Sequence, residues 1–179
     1  GLAAIRQSLP DMKIVLDAAT TFGCPFDGKV SIGQVVAYLE KARAIGITTV
    51  DLCDTIGIAN PLQVRAVLET VCEKFPEIDF GVHIHDTRNM GMANSLAAIE
   101  CGVTRVSTTV GGMGGCPFAP GASGNTSTED LVFMLQEMGY DTGIDFAKLL
   151  ETARFLKENV PANYSGHQMN IAPSQCVMG

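Results

Sequence analysis

The sequence predicts an α/β protein in which parallel strands alternate with helices. Four short apolar segments of strand length are each followed by a segment whose apolar residues recur at helical spacing. Strict alternation of this kind gives parallel strands covered by helices, either as a doubly wound open sheet or as a (β/α)8 barrel. A complete barrel takes about 250 residues, so the four units correspond either to an open sheet or to part of a barrel.

The strand segments lie at regular intervals along the chain. Strands are predicted over 12–19, 48–54, 80–85 and 105–110. Because a helical segment separates each strand from the next, we expect the strands to pair in parallel. In both parallel architectures ligands bind at the carboxyl ends of the strands, so polar residues at those ends are the candidates for function.

The helices are predicted from apolar residues at helical spacing. They cover 1–8, 31–45, a segment that begins after Asn60, 91–101, 126–138 and 145–159. Asn60 and Pro61 provide a helix cap and a first-turn proline, and Gly46 ends the preceding helix. Thr126 and Glu129 have the spacing of a capping box. The tail over 161–179 has no clear period, so we expect one domain over 1–179 with an irregular end.

Composition and charge exclude several classes of protein. Hydrophobic residues make up 46% of the chain and charged residues 17%, which is typical of a globular domain. The net charge of −7 argues against a nucleic-acid-binding surface. An apolar run of about 20 residues, as a membrane helix needs, is absent from the sequence, so no membrane association is expected. Six cysteines stand singly, which indicates reduced thiols and a cytoplasmic location.

The segment 111–125 is predicted to be a functional loop. Its fifteen residues include six glycines and two prolines, so the segment can form neither a helix nor a central strand. It retains a single thiol, Cys116, among glycines that permit close approach of a ligand. A thiol in such a place is a candidate nucleophile or acid. The alternative, a flexible linker, is disfavoured because linkers rarely contain Cys and paired prolines.

Two histidines end the third predicted strand. His83 and His85 are separated by Ile84, and the two-residue period of a strand directs both imidazoles to the same face. Two histidines on one face form half of a divalent-metal site. The alternative is a pair of histidines satisfied within the core.

Two further polar residues lie at positions where chemistry is expected. Asp54 ends the second strand, where its carboxylate can bind metal or substrate, move a proton, or merely hold a turn. Asn125 closes the glycine loop, and its amide oxygen can bind a hard cation or cap the helix that begins at Thr126.

Two motifs together resemble a known family. They are Gly-Val-His83-Ile-His85-Asp-Thr and the loop Gly-Gly-Met-Gly-Gly-Cys116-Pro-Phe-Ala-Pro-Gly-Ala-Ser-Gly-Asn125. This combination closely resembles the signature of the 3-hydroxy-3-methylglutaryl-CoA (HMG-CoA) lyases, which are DRE-TIM metallolyases. The family has a (β/α)8 barrel. The resemblance implies that the chain is the C-terminal half of such a barrel and lacks the N-terminal motif with its arginine and its aspartate metal ligand.

The resemblance also implies an activity and a cofactor. The activity is cleavage of an acyl-CoA substrate, HMG-CoA, to acetyl-CoA and acetoacetate by an enzyme that depends on a divalent metal ion, Mg²⁺ or Mn²⁺. His83, His85 and Asn125 are implied as the metal-binding residues. His83 and Cys116 are implied as catalytic residues, with Cys116 as the acid. The full-length enzyme is expected to be a homodimer.

Four further residues receive roles through the same resemblance. Asp54 is implied as a catalytic carboxylate that orients the substrate or handles a proton. Glu129 is expected to anchor the loop. Gly114 and Gly115 are expected to bind substrate or support the loop.

Two other functions fit the same residues. One is a sister aldolase or lyase that acts on another hydroxyacyl-CoA or hydroxy keto acid. The segment that begins at Arg88, Arg-Asn-Met-Gly-Met, departs from the more usual Gly-Gln of the family. The other is an inactive fragment that binds a metal or a partner without turnover, because half a barrel exposes edge strands and apolar surface.

Overall fold

Four parallel strands form the sheet on which the protein is built. The computed structural model describes residues 2–9, 11–116 and 124–171. Within these residues the sheet has the order β1-β2-β3-β4, with β1 at Leu16–Ala18, β2 at Thr49–Asp54, β3 at Asp79–Ile84 and β4 at Val106–Ser107. All three strand pairs are parallel, because a helical crossover separates each strand from the next.

Helices lie between and after the strands. The described α-helices are α1 at Leu2–Ser8, α2 at Ile32–Ala44, α3 at Pro61–Lys74, α4 at Gly91–Glu100, α5 at Thr128–Glu137 and α6 at Phe146–Asn159. Short 3₁₀ turns cover Val110–Gly112 and Gln168–Asn170. Ser31 caps α2 in a complete capping box with Gln34, and Asn60 caps α3 by accepting a hydrogen bond from the Gln63 amide.

The two faces of the sheet differ in chemistry. Leu52 and Val82 are neighbours in the register of β2 and β3 and belong to the apolar core. The core also contains buried side chains of α2 and α3, among them Leu39, Val64, Leu68 and Val71. Because side chains alternate along a strand, the opposite face carries the partners Asp51 and Gly81, and Cys53 and His83. The candidate residues of β3 therefore lie on the polar face.

The predicted α/β class with parallel strand–helix units is confirmed. Two of the strands, β1 and β4, are shorter than predicted. β1 covers three residues of the predicted 12–19, and β4 covers two of 105–110. The parallel register covers only these residues, although the apolar pattern of the flanking residues is typical of a strand. Strand length is decided by pairing across the sheet, which the pattern of one segment does not contain.

The predicted capping box at Thr126 and Glu129 is wrong. Ser127 caps α5 and accepts a hydrogen bond from the Asp130 amide. The Thr126 hydroxyl instead donates to the carbonyl oxygen of Ile84 at the end of β3, and the Glu129 carboxylate accepts from the Gly111 amide. Both side chains are used in tertiary contacts, which the local spacing does not reveal.

The predicted loop is irregular after its 3₁₀ turn as far as the structure describes it. Residues 113–116 and 124 have no regular structure, and 117–123 lie outside the described residues. Of the predicted irregular tail, 161–171 is described, with the 3₁₀ turn as its regular part, and 172–179, including Cys176, is outside. In the described ranges, no helix combines the length and apolar character that a membrane span requires.

The packing of the core predicts that alanine substitutions of two leucines in the same helix have very different effects on the free energy of unfolding. Leu68 in α3 is fully buried, whereas Leu62 in the first turn of α3 is 79% exposed. We expect Leu68→Ala to lower the free energy of unfolding by about 2–5 kcal/mol, because it removes buried methyl groups and leaves a cavity. Leu62→Ala is the matched control and should change it by less than about 0.5 kcal/mol.

Urea denaturation of the intact protein, followed by circular dichroism, measures both values. Equal effects of the two substitutions would contradict the described packing of α3 against the sheet.

Candidate metal centre

The imidazole rings of His83 and His85 converge at the carboxyl end of β3. Their Nε2 atoms are 3.2 Å apart, and the rings are perpendicular with centroids 5.0 Å apart. The strand period directs both rings to the polar face, as predicted, because Ile84 between them is buried in the apolar core. The two nitrogens therefore share one small volume at a sheet edge where α/β proteins bind ligands.

The hydrogen bonds of the histidines determine which nitrogens are available. Nδ1 of His83 lies 3.1 Å from the carbonyl oxygen of Ser107 on β4. A carbonyl oxygen only accepts, so Nδ1 of His83 carries the proton and, in the neutral ring, Nε2 has a free lone pair. Nδ1 of His85 is buried and has no hydrogen-bond partner among the described residues. Burial, and then the charge of His83, lower the pKa of His85, which favours the neutral ring that binds metals.

Asn125 is brought beside His85 by backbone pairing. An antiparallel bridge joins the two residues, although they are far apart in the sequence. The side-chain amide of Asn125 donates from Nδ2 to the carbonyl oxygen of Met113 at 2.8 Å. Its Oδ1 atom is buried and has no hydrogen-bond partner within the described residues. A buried amide oxygen without a donor is a candidate ligand for a hard cation.

The donors fit a divalent metal ion. Two nitrogens bound side by side to one ion at 2.0–2.1 Å lie about 3 Å apart, and the Nε2 atoms of His83 and His85 are at 3.2 Å. Asn125, which pairs with His85 through the backbone, adds a buried and unpartnered amide oxygen as a third donor. In the described part of the chain, no cluster of three or more His, Cys, Asp or Glu side chains is placed to hold a metal ion. The described donors are therefore two imidazoles and an amide.

Glycines make the base of the loop possible. The amide of Asn125 donates to the carbonyl oxygen of Gly112 at 3.2 Å. A Cβ atom on Gly124 would lie 2.1 Å from that same oxygen, and a Cβ on Gly114 would lie 2.9 Å from Nδ2 of Asn125. Both glycines also have positive φ angles, 122° and 96°, which disfavour other residues. Gly115 is exposed, and its predicted role stays a prediction.

Glu129 lies beneath the loop and is fully buried. Its Oε2 atom accepts a hydrogen bond from the Gly111 amide at 2.9 Å. The amides of Ser165 and Gly166 donate to the Gly111 carbonyl oxygen at 3.0 and 3.1 Å, and a Cβ on Gly166 would lie 2.3 Å from Oε1 of Glu129. These contacts join Glu129 to the base of the loop, and its loop-anchoring role stays a prediction.

Asp54 is buried away from solvent and holds a turn. Its two carboxylate oxygens accept hydrogen bonds from the amides of Ile58 and Ala59, at 2.9 and 3.0 Å, and the residue has no exposed surface. Burial raises the pKa of Asp54, while the backbone hydrogen bonds act in the opposite direction. This geometry supports the turn role that the sequence left open, and a catalytic role for Asp54 stays a prediction.

Cys116 and Asp86 lie on the segments that lead from the centre, the glycine loop and the turn after β3. Cys116 is a partly buried free thiol at the end of the described first part of the loop. Asp86 accepts a hydrogen bond from the Gly91 amide at 2.6 Å, at the start of α4. Its backbone amide donates to the Gly124 carbonyl oxygen at 3.1 Å. Through these two bonds Asp86 joins the start of α4 to residue 124 at the end of the glycine loop.

Sequence reasoning missed the groups that orient these donors. The carbonyl oxygens of Ser107 and Met113 hold His83 and Asn125 in place. Every residue has a carbonyl group, so no pattern in the sequence identifies the two that matter. The pairing of Thr126 with the end of β3 was equally invisible, because its hydroxyl fitted a local cap.

Comparison with known proteins finds relatives that are CoA-thioester lyases. The chain is 44% identical to the hydroxymethylglutaryl-CoA lyase of Bacillus subtilis over 142 residues, which is 79% of this chain and 48% of that protein. It is also 44% identical to the (R)-citramalyl-CoA lyase of Chloroflexus aurantiacus over 152 residues, 85% of this chain and 47% of that protein. The chain thus spans about half the length of the curated relatives it matches.

A solved structure agrees with the sequence relatives. The HMG-CoA lyase of Acinetobacter baumannii, in complex with coenzyme A and 3-methylmalate, matches with a TM-score of 0.89 and 37% identity. The match covers 99% of this chain and 58% of that one. The HMG-CoA lyases that match in structure have the TIM-barrel fold, as the family resemblance implied. The family model described as HMGL-like matches residues 4–156, and the chain therefore belongs to the HMGL-like family.

Proposed function

We propose that the protein is a carbon–carbon lyase that cleaves HMG-CoA to acetyl-CoA and acetoacetate with a divalent metal ion. One observation carries the proposal. The Nε2 atoms of His83 and His85 lie 3.2 Å apart in a chain of the HMGL-like family, and Asn125, paired with His85 through the backbone, has an unpartnered Oδ1. An acyl-CoA substrate is supported by the Acinetobacter relative, whose structure contains coenzyme A.

His83, His85 and Asn125 are the residues that would hold the ion, which we propose to be Mg²⁺ or Mn²⁺. When bound, such an ion acts as a Lewis acid on substrate oxygens and lowers the pKa of a hydroxyl group. The protein's part is to orient the two histidines. The bond from Nδ1 of His83 to the Ser107 carbonyl oxygen orients one ring, and burial lowers the pKa of His85, which favours the neutral form of the other ring.

The cleavage requires two proton transfers. The tertiary hydroxyl of the substrate loses its proton to a base, its oxygen forms the ketone of acetoacetate, and the adjacent carbon–carbon bond breaks. The electron pair of that bond leaves with the acetyl-CoA carbon, which then takes up a proton. We propose the thiol of Cys116 as the donor of this proton, because it lies on the glycine loop whose base contacts Asn125.

The remaining predicted residues are proposed to support this loop. Gly114 leaves room for the Asn125 amide, Gly115 is proposed to approach the substrate, and Glu129 holds the first turn through Gly111. Asp54 is proposed to help orient the substrate by means of the turn that its carboxylate holds. The homodimer and the cytoplasmic location stay predictions, and the five described cysteines are free thiols.

A second candidate is a lyase for (R)-citramalyl-CoA. The observation that favours it is the 44% identity to the Chloroflexus lyase, which equals the identity to the Bacillus HMG-CoA lyase. Both reactions would use the same proposed metal centre and would cleave a carbon–carbon bond. The two candidates therefore differ in the acyl group that the site accepts.

The experiment that tests the function compares the two thioesters directly. The intact natural protein is incubated with Mg²⁺ or Mn²⁺ and either HMG-CoA or (R)-citramalyl-CoA, and release of acetyl-CoA is measured. Faster turnover of HMG-CoA, abolished by a chelator and restored by Mn²⁺, supports the proposal. Faster turnover of citramalyl-CoA would assign the second function, and no acetyl-CoA from either would reject both.

Substitution of the proposed residues should separate metal binding from proton transfer. We expect His83→Ala to weaken Mn²⁺ binding by more than about 100-fold. Loss of a residue that only orients a metal ligand lowers metal affinity by about 10–100-fold, and loss of the ligand itself should lower it further. Cys116→Ala should leave the Mn²⁺ affinity unchanged and lower kcat by about 10²–10⁴-fold, as expected for loss of a proton donor. Titration calorimetry with Mn²⁺ and steady-state kinetics measure the two effects.

Two matched controls belong to this experiment. His167→Ala removes the remaining histidine, whose side chain is 82% exposed, and should leave the Mn²⁺ affinity unchanged. Cys72→Ala removes a thiol of α3 and should leave kcat unchanged. A loss of Mn²⁺ binding in Cys116→Ala, or none in His83→Ala, contradicts the proposed roles.

Gly114 offers a test of the loop contact. Gly114→Ala places a methyl group 2.9 Å from Nδ2 of Asn125, whereas Gly139 has a similar φ, +85°, and no atom within 4 Å of its Cβ position. Both substitutions strain the backbone by about 1–2 kcal/mol, but only Gly114→Ala displaces the Asn125 side chain. We expect Gly114→Ala to weaken Mn²⁺ binding by about tenfold or more and Gly139→Ala to leave it unchanged. Equal affinities would argue against Asn125 as a ligand.

A further inference from the structure

An ion-pair network crosses the polar face of the sheet below the metal centre. Arg105, the residue before β4, donates from Nε and Nη2 to Oδ1 of Asp51 on β2, at 3.0 and 2.7 Å. It also forms an ion pair with Asp79 at the start of β3. The side chain of Asp51 is 8% exposed, so its charge is removed from water and balanced by the guanidinium group. One arginine thus ties β4 to its neighbour β3 and to β2 beyond it.

Gly81 provides the space for this crossing. β3 lies between β2 and β4, so the Arg105 side chain passes over β3 to reach Asp51. A Cβ atom on Gly81 would lie 2.2 Å from Oδ1 of Asp51 and 2.8 Å from Nη2 of Arg105. Any other residue at 81 would therefore separate the two charges.

The network ends at the histidine of the metal centre. The Ser107 hydroxyl donates to Oδ2 of Asp51 at 3.1 Å, and the carbonyl oxygen of the same serine accepts from Nδ1 of His83. β4 is only two residues long, so it has few backbone bonds to hold that carbonyl in place. The side chains of Arg105 and Ser107 add three hydrogen bonds to Asp51.

From this arrangement we infer that Asp51 and Arg105 are positioning residues for His83. They anchor β4 so that the Ser107 carbonyl oxygen retains the proton on Nδ1 of His83 and leaves Nε2 for the metal ion. The inference rests on the proposed metal-dependent function for the role of Nε2. The orientation of the histidine itself is a property of the protein without metal, and it is measurable separately.

The physical basis is the choice between two histidine tautomers. In water the two neutral tautomers of imidazole are close in free energy, so one hydrogen bond decides which nitrogen carries the proton. A carbonyl acceptor held at Nδ1 selects the tautomer with a free Nε2. If β4 shifts, that selection weakens, and part of the His83 population presents a protonated Nε2 that no metal ion binds.

The experiment uses three variants of the intact protein. Asp51→Asn keeps the size of the side chain and removes its charge, Arg105→Lys keeps the charge and loses the forked geometry, and Gly81→Ala changes no charge but separates the pair. Glu40→Gln is the control, because it removes an ion pair with Lys74 on the helical surface. Thermal unfolding of each variant establishes that it is folded.

Two readouts are recorded, neither of which requires turnover. The ¹⁵N chemical shifts of the His83 ring, in protein labelled at histidine and free of metal, report the tautomer. Mn²⁺ titration followed by electron paramagnetic resonance gives the affinity. We expect the tautomer with protonated Nδ1 in the unchanged protein and a mixture in the three variants. Their Mn²⁺ affinity should fall by about tenfold, the lower end of the range for outer partners of metal ligands, and that of Glu40→Gln should not change.

The outcomes separate this inference from the proposed lyase activity. Unchanged His83 shifts and Mn²⁺ affinity in all folded variants would overturn the inference, even if the protein cleaves HMG-CoA. The expected shifts and affinities in a protein that cleaves neither thioester would uphold the inference and reject the lyase. If Asp51→Asn does not fold, Arg105→Lys and Gly81→Ala decide the question. If the unchanged protein does not bind Mn²⁺, the inference is overturned.

Discussion

The backbone pairing between the end of β3 and residues 124–126 is the constraint on which the candidate site depends. The Ile84 carbonyl oxygen accepts from both the amide and the hydroxyl of Thr126, and the Asp86 amide donates to the Gly124 carbonyl oxygen. These bonds place Asn125 opposite His85. A further bond, from the Asn125 amide to the Gly112 carbonyl oxygen, joins the start of the glycine loop to its end at this sheet edge.

The sheet below the site separates two kinds of stabilisation. On one face, side chains such as Leu52 and Val82 are fully buried. Their removal from water stabilises the fold, but this hydrophobic stabilisation does not depend on the relative orientation of the groups. On the other face, Asp51 and Arg105 form directed bonds that hold strands in register. Directed contacts on that face suit a metal centre, because ligand atoms need defined positions that apolar packing alone does not specify.

The sequence predicted much of this arrangement because its signals were periodic or chemical. The two-residue period of β3 placed His83 and His85 on one face, and helical spacing identified α2 to α6. The sequence left the turn role of Asp54 open among alternatives, took the loop role of Glu129 from the family resemblance alone, and wrongly assigned Thr126 to a helix cap. Asp54 supports a turn, Thr126 bonds to Ile84, and Glu129 holds Gly111, and each residue type is also common in the local roles that the spacing indicated.

By itself the sequence determined the alternation of strands and helices, the glycine loop with its thiol, and the pair of histidines at a strand end. These features follow from short-range periodicity and residue chemistry, which a single segment contains. Only the tertiary structure decided which atoms meet. The 3.2 Å approach of the imidazoles, the Ser107 carbonyl oxygen at Nδ1 of His83 and the unpartnered oxygen of Asn125 depend on hydrogen bonds between segments distant in the chain. Such bonds leave no local pattern, because every residue carries the same backbone donor and acceptor groups.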